Sequence, residues 1–324
     1  MSYLPPIVSA VATLLITLLL LRFKSHFIND IPNERSLHDV PTPRTGGVAF
    51  MLGIAGGWSL LAQYLPWWLL LPLFGLFILS LIDDLRGLSA RIRLIGHFIA
   101  ALIVSYGLGV SWIWLFPALL FFVWMTNLYN FMDGSDGLAG GMALFGFSAY
   151  GVAALMSGND SIAMMTLSVA SATLVFLVFN FHPARIFMGD AGSIPLGFLA
   201  ACFGVWGWLQ LCWPVWFPLL VFSPFVVDAT VTMLRRLRKG ERITLPHRSH
   251  YYQRLVRNGW GHRKLALIAY LLMFVSGISA LWGTSQDATT QAGIVFIWIA
   301  AYLGMLMMAD SYCKKIEGMQ KNAG

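Results

Sequence analysis

Eleven apolar runs leave this chain few folds to choose from. They cover residues 4–21, 47–65, 67–82, 94–108, 111–125, 138–156, 162–179, 195–211, 213–234, 265–282 and 291–310. A bilayer-spanning helix needs about 17–25 apolar residues, and these runs fall in or just below that range. With 58% hydrophobic and 11% charged residues, the 324-residue chain has no stretch left over for a water-soluble domain. The expectation is an all-α polytopic membrane protein with eleven transmembrane helices, forming one integral membrane domain over residues 1–324.

The basic residues test that count. Alternating eleven helices puts residues 22–46, 83–93, 126–137, 180–194, 235–264 and the tail from 311 on one side, and all 21 Lys and Arg residues lie in these segments. The positive-inside rule makes that side cytoplasmic, with the N-terminus outside and the C-terminus inside. A net charge of +7 on that face suits anionic lipid headgroups or phosphorylated ligands; nucleic acid is not expected as a partner. The first run reads as a retained helix: no basic residue precedes it, Arg22 and Lys24 follow it, and it carries no small-residue cleavage pattern. Cys202, Cys212 and Cys313 show neither metal spacing nor a disulfide framework.

The polar residues of the basic side carry the chemistry. Asn127, Asn130, Asp133 and Asp136 recur at every third position, so on a helix they would follow one slowly rotating line. Gly134 and Gly137 loosen the backbone beside them. Oxygen ligands next to hydrocarbon are costly, and they suit a hard cation such as Mg²⁺. A solvated loop with helix caps would leave the same pattern.

Asp83 and Asp84 end a helix, where the macrodipole disfavours negative charge by about 0.3–1 kcal/mol each. Nothing nearby explains the pair as stability, although Arg86, Arg91 and Arg93 could screen it. A base, nucleophile or metal-holding role is therefore expected. In the first loop, Pro41 and Pro43 stiffen the chain, and Gly46 and Gly47 are expected to offer free N–H groups to phosphate at a helix N-terminus. Asp190 opens another helix between Gly189 and Gly192, where a simple cap would serve equally well. Phe187 suits stacking on a base or packing at the interface. His247, Arg248 and His250 offer donors for a diphosphate, while Asp228 faces either a neighbour or a ligand. Six carboxylates thus gather opposite His and Arg donors, as a metal-dependent phosphate site requires.

Taken in order, these motifs resemble one family. They are Pro41-Thr42-Pro43 with Gly46-Gly47, the Asp83-Asp84 pair, Asn127-x-x-Asn130-x-x-Asp133-Gly134-x-Asp136-Gly137, Phe187-Met188-Gly189-Asp190, Asp228 and the histidine loop. Over nearly the whole chain the pattern looks like the polyprenyl-phosphate N-acetylhexosamine-1-phosphate transferases, which include the WecA and MraY enzymes. The resemblance implies an enzyme of the bacterial inner membrane that uses Mg²⁺, with Mn²⁺ as a substitute, and works on the cytoplasmic face. It implies transfer of a sugar 1-phosphate from a UDP-N-acetyl amino sugar to undecaprenyl phosphate, with release of UMP, at the start of O-antigen or related envelope polysaccharide synthesis.

By the same resemblance Asp83 and Asp84 are catalytic, Asp190 and Asp84 hold the metal, and Asn127, Asn130, Asp133 and Asp136 shape the nucleotide site. Phe187 stacks on uracil, and Arg44, His247, Arg248 and His250 bind substrate, the last three at its diphosphate. Membrane lipids and a second copy of the chain complete the expected partners. The family's loop often groups three histidines, whereas Arg248 and Ser249 separate His247 from His250 here. That departure looks more like the WbpL-type enzymes that begin with 6-deoxy amino sugars. The alternatives are a phospho-N-acetylmuramoyl-pentapeptide-type transferase and, from another class, an ion-coupled transporter, whose polar residues belong near mid-membrane.

Overall fold

In lipid every backbone polar group must be satisfied within its own segment, so apolar runs of this length become helices. The computed structural model describes residues 3–23, 29–30, 41–241 and 247–323. Among the described residues, ten of the eleven runs are helices long and apolar enough to cross a membrane. They are α1 (Leu4–Arg22), α2 (Gly46–Trp58, continued by a 3-10 turn to Tyr64), α3 (Trp67–Arg86), α4 (Ala90–Gly107) and α5 (Trp112–Phe131). Next come α6 (Leu138–Met156), α7 (Asp160–Asn180) and α8 (Asp190–Leu209).

The ninth run is not the single helix expected over 213–234. It is broken into α9 (Phe217–Val221) and α10 (Ser223–Arg238). Pro218 and Pro224 each lie in the first turn of their helix, where a missing N–H is tolerated, and neither can continue a helix through the preceding residues. The tenth span starts earlier than its apolar run. It begins with α11 (Tyr251–Leu255), bends through a wide turn at Val256–Trp260 and continues as α12 (Gly261–Gly283). The polar residues of that lead-in hide it from a hydropathy reading. The last helix is α13 (Ala288–Ala323).

Helices α6, α7 and α8 are the most buried and form the centre. Around them α1 packs across α2 and α7, α8 lies between α3 and α5, and α12 lies along α6. Small residues allow the closest approaches: Gly53 and Gly57 of α2 face Thr13 and Ser9 of α1. By contrast, α13 is the least buried of the ten spans.

The segments assigned to one side from the charges do meet at one end of the bundle. Phe187 N donates to Pro43 O (2.8 Å), Gly46 N to Phe187 O (2.9 Å) and Gly47 N to Met188 O (2.8 Å), joining the first and fourth loops. The Gly46 and Gly47 N–H groups are therefore spent on backbone carbonyls rather than left for phosphate. Tyr252 OH donates to Phe131 O (3.0 Å), bringing in the last loop, and Arg254 Nη1 reaches Asp310 Oδ1 of α13 at 2.6 Å. Residues 36–40 of the first loop and Pro246 lie outside the described residues.

Candidate active site

The end of α3 and the start of α8 meet head to tail. Asp84 Oδ1 accepts from Asp190 N (3.1 Å) and Oδ2 from Ala191 N (2.9 Å). The position that penalises a carboxylate at one helix's C-terminus is thus the N-terminus of another, where the dipole and the open N–H groups favour negative charge. Asp83 also has partners, with Oδ1 accepting from Leu88 N and Oδ2 from Arg93 Nη1 (3.1 Å). The acidic pair thus has a structural account, local for Asp83 and from a helix start 106 residues away for Asp84.

Asp190 is no cap. Gly189 holds the N-cap position at φ 70° and has no side chain to cap with, so the helix start is capped from outside by Asp84. The Asp190 carboxylate lies 3.3 Å from Arg93 Nη1, so one guanidinium nitrogen binds both Asp83 and Asp190. A Cβ at Gly189 would meet Asp84 Oδ2 at 2.8 Å and Arg44 O at 2.9 Å, which requires glycine there for space as well as for φ. Arg44 itself lies 3.8 Å from Asp30.

Helix α5 stops at Phe131, so only Asn127 and Asn130 follow the expected helical line. Asn127 Nδ2 donates to Val123 O (2.7 Å) and His97 Nδ1 (3.0 Å), and Asn130 is half-buried in the last turn. Asp133 and Asp136 lie in the loop beyond. Burial first, then repulsion from Asp190, holds the Asp133 carboxyl well above the usual carboxylate range; Arg44 pulls the other way and Asp84 adds to the rise. Added positive charge would relieve that repulsion.

Asp136 faces a different set. His182 Nδ1 donates to Asp136 Oδ2 (2.7 Å), and Ala184 N donates to the same oxygen (3.2 Å). His262 Nδ1 lies 2.9 Å from Ser135 Oγ and accepts from Asp136 N (3.3 Å), and the two imidazoles stack 5.4 Å apart. Asp136 thereby ties together the third loop, the fourth loop and the start of α12. Phe187 is half-buried between Ile186 and Met188 in the fourth loop.

The histidine segment docks on this assembly from the other side. His247 and His250 stack at 4.9 Å, and His250 lies 6.1 Å from the Phe131 ring. Burial first, then the neighbouring His250 and Arg236, pushes His247 down to about 4, so it is neutral at pH 7. Its Nδ1 accepts from Ser249 N (3.4 Å), which leaves its proton on Nε2 as a donor. Asp228 faces a neighbour, not a ligand: its carboxylate accepts from Tyr251 N (2.9 Å), Tyr252 N (2.9 Å) and Thr232 Oγ1 (3.2 Å), with His250 Nδ1 at 3.3 Å.

A family model described as Glycosyl transferase family 4 matches residues 66–207. The chain is 34% identical over 290 residues, covering 83% of it and 81% of its relative, to a probable undecaprenyl-phosphate N-acetylglucosaminyl 1-phosphate transferase of Bacillus subtilis. The chain belongs to glycosyl transferase family 4. It is also 30% identical, over 87% of its length and 83% of the relative's, to a decaprenyl-phosphate N-acetylglucosaminephosphotransferase of Mycobacterium tuberculosis. A phospho-N-acetylmuramoyl-pentapeptide-transferase of Moorella thermoacetica is 30% identical over 74% of this chain and 84% of that protein.

The candidate site of this family 4 chain includes residues with little or no local signal. In the sequence Arg93 reads only as a screening charge, and His182 belongs to no motif. His97 lies one turn after Arg93 on α4, a spacing that could have flagged it. His262 stands among basic residues and gave no signal. Asn180 bridges Gly137 N (3.0 Å) and Ile186 O (2.9 Å) and so fixes the third loop against the fourth. The Asp228→Ala variant would strand two buried N–H groups, for an expected loss of about 3 kcal/mol. An unchanged melting temperature in detergent would remove Asp228 from that role.

Proposed function

We propose that this chain transfers an N-acetylhexosamine 1-phosphate from a UDP-sugar to undecaprenyl phosphate, releasing UMP. The observation that carries the reading is the junction of Asp83, Asp84 and Asp190 through Arg93 and the N-terminus of α8. The names of the relatives point to the same reaction class, more of them to the N-acetylglucosamine 1-phosphate enzymes than to the muramoyl-pentapeptide ones. The bulk of the polar groups sit at one end of the bundle, which favours an interfacial enzyme over a mid-membrane transport site. The basic charge at that end supports placing it on the cytoplasmic face of the inner membrane, where a soluble nucleotide sugar and a lipid phosphate can meet.

An acceptor phosphate oxygen attacks the sugar-bearing phosphorus; one phosphoanhydride forms as the bond to UMP breaks. In this reading Asp83 takes a proton from the acceptor, and Asp84 keeps Asp190 in position by holding the first turn of α8. Arg93 orients both carboxylates. Asn127, Asn130, Asp133 and Asp136 line the nucleotide side with Phe187, while His247, Arg248 and His250 approach the diphosphate, with Arg44 beside the acidic group.

The donor set fits Mg²⁺. Four carboxylates (Asp83, Asp84, Asp133, Asp190) outnumber the guanidiniums of Arg44 and Arg93, and all offer hard oxygen ligands. Mg²⁺ is commonly held by one or two carboxylates together with water and substrate phosphate. Asp190 and Asp84 would hold it, and bound there it supplies charge neutralisation for the diphosphate and the departing UMP. Purified protein given undecaprenyl phosphate and UDP-N-acetylglucosamine should release UMP; chelation should stop the release, and added Mg²⁺ should restore it. Release that is indifferent to chelator would reject the metal, and no release with any UDP-N-acetylhexosamine would reject the reaction.

A further inference from the structure

Two carboxylates hold the histidine segment, one on each flank. Asp228 takes the backbone of Tyr251 and Tyr252, and Asp310, on α13, takes side chains. Arg235 binds Asp310 in bidentate fashion, Nη1 to Oδ1 at 3.0 Å and Nη2 to Oδ2 at 2.6 Å. Arg254 Nη1 donates to Oδ1 (2.6 Å) and Tyr251 OH to Oδ2 (3.2 Å). Both guanidiniums also lie over the Tyr251 ring, at 4.9 and 5.4 Å. One side chain therefore joins α10, α11 and α13 at the residue that follows His250.

Among the described residues, few other polar contacts hold α13 at this level. A cavity of about 500 Å³ opens between α10, α12 and α13, lined by Phe225, Leu265, Ile268, Tyr302 and Leu306 among others. Beyond the Asp310 cluster, Tyr302 OH meets Ser223 Oγ (2.6 Å) and Tyr312 OH donates to Asn258 O (2.9 Å). The Asp310 side chain is 22% exposed and its partners 42% and 22% exposed, so water screens the ion pairs only in part and the cluster contributes some stability as well. What a bidentate pair adds is geometry.

We propose that Asp310 is a positioning residue: it fixes Arg254 and Tyr251, and through them the approach of His247, Arg248 and His250 to the substrate diphosphate. The inference rests on the diphosphate-binding role proposed for that segment. Asp310 does not touch substrate, and its effect is carried by the ends of α10 and α11.

The test uses the full-length protein in detergent, with UMP release measured across UDP-N-acetylglucosamine concentrations and melting followed in parallel. Asp310→Asn should raise KM about tenfold at temperatures well below its melting transition, with only a modest fall in melting temperature. Asp310→Glu should restore most of the loss. Arg254→Gln should copy Asp310→Asn, and the double variant should be no worse than either, because both remove the same link. If Asp310→Asn does not fold, Asp310→Glu and Arg254→Gln carry the measurement. An unchanged KM, or activity lost only in step with a lower melting temperature, overturns the proposal. Arg248→Ala separates the two readings. If it raises KM and the Asp310 and Arg254 variants do not, the positioning role alone fails. If Arg248→Ala is silent, the diphosphate role fails and this inference falls with it.

Discussion

Asp190→Asn is expected to lower turnover about a thousandfold while leaving the fold in place. Asp190 makes no cap and its carboxylate has one close cationic partner, Arg93 Nη1 at 3.3 Å. An asparagine has the same shape and can still accept a hydrogen bond from Arg93, so the helix start and its backbone bonds to Asp84 should survive. What disappears is a negative charge in the group that repels Asp133. The substitution should therefore ease the native structure slightly and remove the charge that chemistry needs. Activity with raised Mg²⁺, followed by UMP release, separates a metal role from a purely electrostatic one. If Asp190 ligates the ion, the half-saturating Mg²⁺ concentration rises in the variant. Wild-type turnover would reject the site.

The Asp84→Asn variant should behave differently, which makes it an instructive companion. Asp84 accepts from two backbone N–H groups. An amide would turn one of its atoms into a donor facing a donor, so loss of activity there would come with loss of stability.

The helices were legible because an apolar run in lipid has one way to satisfy its backbone. The break between α9 and α10 was not, since Pro218 and Pro224 lie within a run that is otherwise continuous in hydropathy. The common face of the loops was legible from the Lys and Arg distribution, which reflects insertion rather than packing. The candidate site residues could be picked out by their types, but their partners could not. Asp84 bonds to a helix start 106 residues away, and Asp136 to an imidazole 46 residues away. Pairings of that range leave no local pattern. A single histidine such as His182, His262 or His97 has no periodicity to mark it, and its role emerges only when α4, α5 and α12 bring neighbours to it.

Gly46 and Gly47 show the opposite error, a local motif with a plausible local meaning and a different structural one. Their N–H groups bind Phe187 O and Met188 O, two carbonyls just ahead of Asp190. The glycines fix the fourth loop against the start of α2, and that contact sets where the carboxylate points.

Gly47→Ala is accordingly expected to cut activity by roughly a hundredfold without removing any chemical group. A Cβ there would collide with Gly192 N and lie 2.6 Å from both Gly192 Cα and Met188 O. These are backbone atoms, so no rotamer change relieves the contact and α2 must draw back from α8. Overpacking of this kind costs about 1–3 kcal/mol, so the melting temperature should fall as well. Gly56→Ala supplies the comparison on the same helix, because its added Cβ would find only Ala12 Cβ at 3.7 Å and Val8 Cγ1 at 4.0 Å. Alanine also brings a helix-propensity gain of up to about 1 kcal/mol, in full at an interior position such as Gly56 and in part at the first turn where Gly47 lies, so propensity alone cannot make Gly47→Ala much the worse. A large difference between them therefore measures the approach of α2 to α8. If Gly47→Ala matched Gly56→Ala in melting and in UMP release, the packing of the first loop on the fourth would have no hold on Asp190.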